Sequence, residues 1–105
     1  MANIELGSLL AVDRYIAMLE AKGVKPDNCT LDESKDPTSL PHILWMCKEL
    51  KTKIVPHTGT GFSVDKYSRW IGFIQGILIA KGLTTVKSER DVTRVWFTGL
   101  ALETD

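Results

Sequence analysis

Cys29, His42, Cys47 and His57 are the residues of metal-binding type, separated by twelve, four and nine intervening positions. Compact zinc sites draw their ligands from close pairs, and these gaps match no such knuckle. Cys47 also falls inside an apolar helical stripe, where a thiol serves as a small core residue. The sequence therefore calls for no metal and no cofactor. Catalytic pairing is equally sparse. His57 stands in a glycine-rich loop and His42 near a helix start, and neither has a neighbouring Ser-Asp or Cys-Asn arrangement. The acids are spread evenly, without the paired carboxylates of a hydrolase or the E-x-x-E helices of a nucleotide pyrophosphohydrolase. The pattern argues against an enzyme.

The best ligand candidate is His57-Thr58-Gly59-Thr60-Gly61, which runs into the start of a helix with Lys66 one turn in. Glycines, threonine hydroxyls and free amides at a helix N-terminus suit an anion. Arg69, Arg90 or Arg94 would complete such a site for a nucleotide or phosphorylated ligand. The segment lacks the G-K-[ST] ending of a P-loop, so a plain turn is the simpler reading. Three tryptophans raise the question of base stacking. Trp70 and Trp96 fit apolar stripes, which leaves Trp45 alone in need of cover or a partner.

The chain that must position these residues has 105 residues, one domain's worth, with 44% hydrophobic and 25% charged residues, as in a globular protein. Lys+Arg and Asp+Glu are 13 each, so the formal net charge is zero. No global field gathers polyanions, which counts against nucleic acid, and no self-repulsion opposes association. The apolar run Trp70–Ala80 is interrupted by Gln75 and is shorter than the roughly 20 residues a membrane span needs. The opening M-A-N-I-E-L has no basic leader, so the expected location is cytoplasmic, with both thiols reduced.

Hydrophobic spacing predicts four helices. The first, Leu6–Lys22, carries Leu9, Val12, Ile16 and Leu19 on one face, with Ser8 as its cap and Gly23 as its stop. Val24–Pro37 is polar, has two prolines, and reads as a fourteen-residue solvated connector rather than a binding loop. The second helix begins at Asp36-Pro37 or at Ser39 and aligns Leu40, Ile43, Leu44, Cys47, Leu50 and Ile54. The third, Ser63–Lys81, sets Tyr67, Trp70, Ile71, Ile74, Ile77 and Leu78 on a broad face. Ser68, Gly72, Gly76 and Ala80 recur every fourth residue on another side, bordered by Phe73 and Ile79. Each helical glycine costs roughly 1 kcal/mol against alanine, so this stripe implies close approach by another backbone, in the same chain or another. The fourth helix runs from Val86 to about Thr98, capped by Thr84 or Thr85, with Lys87, Glu89, Arg90, Asp91 and Arg94 on its wet side. Its β-branched residues leave a strand as the competing reading of the second half.

The segments L-P-H-I-L-W-M-C at 40–47, S-R-W-I-G-F-I-Q-G-I-L at 68–78 and G-L-T-T-V at 82–86 resemble a group of small phage and prophage proteins. The resemblance covers residues 40–97 and implies a phage accessory protein, with interference with a host or defence protein as the natural role and no reaction attached. Packing accounts for the motif's Trp70, Gly72, Phe73 and Gly76. Arg69 and Gln75 are its polar members, fitted either to a half-buried hydrogen-bond network or to a ligand.

The expected fold is all-α, one domain of four helices with the third central. The leading functional expectation is a non-enzymatic phage accessory protein, active in the cytoplasm through contact with a host or phage protein and self-associating. Trp45, Ser68, Gly72 and Gly76 are its interface residues. The alternative is a nucleotide or phosphate binder using His57, Gly59, Thr60, Gly61, Lys66, Arg69 and Gln75. A helical DNA reader ranks last, for want of a basic recognition helix.

Overall fold

A computed structural model describes residues 4–30, 32–54 and 61–98, and within them the side chains of residues 6–92. Its elements are α1 (Ile4–Ala21), α2 (Leu40–Lys53), α3 (Val64–Ala80) and α4 (Val86–Thr98). Every regular element among the described residues is a helix. The fold is thus all-α with four helices, and α4 remains helical through its β-branched half.

The apolar spacing read from the sequence is the spacing that is buried. Ala11, Val12, Tyr15 and Leu19 of α1 pack with Ile43, Leu44, Cys47 and Leu50 of α2 and with Tyr67, Ile71, Ile74 and Leu78 of α3. Ion pairs Glu20–Lys48 at 2.8 Å and Asp13–Lys51 at 2.8 Å show that α1 and α2 run antiparallel. The hub is α1, which packs against all three other helices; α4 rests chiefly on α1, and α3 chiefly on α2. α3 also touches all three of the others, less extensively, packing on α2 and α1 and reaching α4 through the Gln75–Glu89 bond. Its apolar face is buried as foreseen, but its small-residue face looks outward, so only one side of it is enclosed.

Helix ends follow local chemistry. Ser8 does not cap α1, which starts upstream at Ile4; Ser8 lies inside the helix, fully buried, and its Oγ has no hydrogen-bond partner among the described residues. Ser39 precedes α2 in extended backbone, and Pro41 occupies its first turn, where a missing N–H costs nothing. Ser63 accepts the Lys66 amide at 3.2 Å to start α3, and Thr85 accepts the Ser88 amide at 3.1 Å to start α4. Both A-K-G ends close identically. Val24 N–H bonds Leu19 O at 3.2 Å and Leu83 N–H bonds Leu78 O at 2.9 Å, each across a glycine at φ 78°. Val24 and Leu83 then return to the core surface.

The α1–α2 connector holds itself up by a repeated device. Asn28 accepts the Thr30 amide at 2.9 Å, Asp32 the Ser34 amide at 2.9 Å and Asp36 the Thr38 amide at 2.8 Å. These are Asx turns four residues apart, each supplying a backbone donor with a local acceptor. Two further bonds tie the connector to α2: Asp27 N–H to Pro41 O at 3.0 Å and Cys29 N–H to His42 Nδ1 at 3.1 Å.

The same substitution therefore has opposite signs at different glycines. Gly23→Ala and Gly82→Ala should each lower unfolding free energy by about 1 kcal/mol, because an L side chain is strained at positive φ. Gly72→Ala, in ordinary helical backbone with open space around it, should raise that of the dilute chain by about 0.5–1 kcal/mol. Urea denaturation of the three variants measures this.

Candidate functional site

The described structure concentrates its buried polar chemistry at Glu89. This residue was expected on the wet side of α4; it is instead 2% exposed and faces α1. Its Oε2 accepts from Arg14 Nη1 at 2.6 Å and from Thr84 Oγ1 at 2.6 Å. Its Oε1 accepts from the Tyr15 hydroxyl and from Gln75 Nε2 at 3.3 Å. Gln75 Nε2 also donates to the Tyr15 hydroxyl at 3.0 Å, closing a triangle. One carboxylate thus gathers α1, α3, the α3–α4 connector and α4.

The electrostatics follow from that geometry. Burial, the largest single influence, pushes the Glu89 carboxyl up, but the hydrogen bonds from Thr84, Tyr15, Arg14 and Gln75 together outweigh it and hold the group below its ordinary range. Tyr15 moves the other way: burial first, then its bond to Glu89, raises the phenol well above its usual value, so it stays a neutral donor. A general base needs an oxygen free to take a proton, and each Glu89 oxygen is already bonded to two donors. The constellation acts as a lock between helices.

Of the residues assigned to a ligand, those that are described do not converge. His57, Gly59 and Thr60 lie outside the described residues. Gly61 is half-buried ahead of α3, and the Lys66 ammonium sits 4.1 Å from the centre of the Phe62 ring. Arg69 Nε pairs with Asp65 at 3.2 Å on the open surface. Gln75 is held in the Glu89 network, six residues further along α3. Arg90 is exposed, and the Arg94 side chain is outside the described set.

Trp45 has found cover within the chain. It stacks on His42 at 5.5 Å and meets Trp70 of α3 at 6.3 Å, and Trp70 in turn takes the edge of Phe62 at 4.9 Å. Cys29 and His42 do meet, through the Cys29 amide and His42 Nδ1, but among the described residues no three metal-ligating side chains cluster. Ser68, Gly72 and Gly76 are exposed, with Phe73 42% exposed beside them. A Cβ built on either glycine would meet nothing within 4 Å, so among the described residues no other backbone approaches the stripe.

Arg14 and Tyr15 were not singled out from the sequence, Thr84 was read as a candidate helix cap and Glu89 as a solvated residue, although the spacing held a signal. Glu89, Val92 and Trp96 recur at three- and four-residue steps, which puts the acid in line with the apolar positions of α4. Tyr15 stands between Val12 and Leu19 in the stripe of α1.

Comparison with protein-family models, curated proteins and solved structures finds no match. No helix among the described residues is long and apolar enough to cross a membrane.

Removing Glu89 should be costly, because the rest of the network stays behind without its acceptor. Glu89→Ala is expected to lose on the order of 3 kcal/mol. Arg14→Ala should lose about 1 kcal/mol, since Glu89 keeps three donors. The pH sign is fixed by the lowered carboxyl: its contribution is complete above about pH 4.5, the ordinary glutamate value, and is lost as pH falls through the folded-state value. Urea midpoints from pH 7 to 3 should fall less steeply in Glu89→Gln than in the native chain.

Proposed function

We propose that the chain is a non-enzymatic interaction protein that works by protein–protein contact and self-associates through the outer face of α3. One observation carries the reading: Gly72 and Gly76 stand on an exposed helix face where an added Cβ would meet no described atom within 4 Å beyond the helix's own backbone. Each costs the helix roughly 1 kcal/mol, and no contact inside the described chain returns it. Close approach by a second backbone does return it. The same helix exposes Phe73 at 42% and Val64 at 49%, apolar area that such a contact would cover. A formal net charge of zero leaves no net charge repulsion to oppose association of copies.

The likeness of residues 40–47, 68–78 and 82–86 to small phage and prophage proteins supports a further partner, a host or phage protein met in the bacterial cytoplasm. The engagement of Glu89 by four donors supports a binding role over a catalytic one.

Size-exclusion chromatography with light scattering at high micromolar concentration should give a mass above the 11.7 kDa of one chain. A clean monomer there removes self-association. Gly76→Leu separates assembly from folding, since the side chain enters open space in the single chain. It should keep the helical circular dichroism and melting temperature of the dilute protein while shifting the population to monomer. Unchanged association in that variant would remove the α3 face as the contact.

A further inference from the structure

Phe73 stands between Gly72 and Gly76 in the chain and is 42% exposed, a ring that the core does not cover. At about 100° per residue, it falls to one side of the line through Ser68, Gly72, Gly76 and Ala80. Gln75 falls to the other side, where it turns into the Glu89 lock. The outer face of α3 is therefore lopsided, with its open ring on one flank. Its charge is uneven along the length as well. Asp65, Lys66 and Arg69 are exposed in the N-terminal half, with the Arg69 side chain 71% open. Gly76, Ile79 and Ala80 carry the face to its end without a charge, and the last turn holds no basic residue.

Resting on the self-association proposed above, we infer that the second copy lies antiparallel, its α3 related by a two-fold axis that passes between Gly72 and Gly76. Symmetry decides what becomes of the ring. A two-fold that runs along the helices makes the pair parallel and sends the two Phe73 flanks to opposite sides of the seam. A two-fold perpendicular to both helices makes the pair antiparallel and brings the two flanks to the same side. Phe73 stands next to that axis in the chain, so the two rings meet over the seam and cover one another. The charge pattern selects the same order. In a parallel pair Arg69 of each copy lies beside its own counterpart, and the helix dipoles align. In an antiparallel pair Arg69 lies beside the last turn of the other α3, whose carbonyl end carries partial negative charge. Ser68 then sits opposite Ala80, and each low line of small residues runs along the other.

Disulfide trapping reads this order. The native Cys29 and Cys47 are 6% and 0% exposed, so the folded native chain should stay uncross-linked under mild oxidation. Ser68→Cys and Ala80→Cys each place one thiol at an exposed position of α3. An equal mixture of the two should cross-link unlike copies. Ser68→Cys alone should give about tenfold less product, because its two thiols stand about 18 Å apart along the helices. Phe73→Ala should keep the circular dichroism of the native chain and raise the dissociation constant by about tenfold in light scattering. Three results would each overturn the antiparallel pairing while leaving self-association standing. They are a dimer whose mixture does not cross-link, Ser68→Cys copies that trap each other as readily, and Phe73→Ala copies that associate as the native chain does. A native chain that is monomeric at high micromolar concentration removes both.

Discussion

A carboxylate taken out of water costs several kcal/mol unless donors replace the lost hydration. Glu89 meets that demand with Arg14, Tyr15, Gln75 and Thr84, drawn from two other helices and a connector. All must stand within hydrogen-bond reach of two oxygens at once, which leaves little freedom in how α4 lies. A slide of one residue along α1 would turn Glu89 by about 100° around its helix and strand the donors. The network sets register where greasy contact alone would tolerate repacking. It also explains why the turn at Gly82 is tight: Leu83 folds back so that Thr84 arrives beside Glu89.

The other half of the molecule is organised by rings. His42 and Trp45 of α2 reach Trp70 of α3, and Phe62 closes the row. Offset and edge-on ring contacts add about 0.5–1.5 kcal/mol each beyond their buried area. They join two of the three segments that suggested the phage likeness, and Thr84 and Gln75 tie the second and third into the Glu89 lock. Packing thus accounts for most residues in those segments. The residues it leaves over are those on the outer face of α3.

The helices were legible because burial here obeys simple spacing. Val12 and Leu19, Ile43 through Ile54, and Tyr67 through Leu78 lie on the faces that three- and four-residue steps assign them. The caps at Ser63 and Thr85 and the stops at Gly23 and Gly82 were equally local. Glu89 was not, since a charged residue flanked by Arg90 and Asp91 reads as solvated until its donors, up to 75 residues away in the chain, are known. How far each helix runs along its neighbours was likewise not local: α1 packs along both α2 and α4, while α3 packs on α2 and reaches α4 through Gln75, and single-sequence spacing does not rank such contacts. The connector's Asn28, Asp32 and Asp36 turns were present as a repeated [ND]-x-[ST] and were read only as polarity.

Two features depart from what a small helical domain needs for stability alone. A buried ion-pair network is often no better for stability than apolar packing of the same volume, yet Glu89 fixes one arrangement of four segments, and the cost is offset inside the chain. The glycines of α3 differ in kind. They loosen the helix, fill no gap and permit no turn, and Gly72 and Gly76 face open space. Alanine at both positions would keep every described contact and strengthen the helix. A feature that the described fold does not use, set on a face with exposed Phe73, is what the proposed self-association would draw on: a surface kept low, against which another backbone would lie.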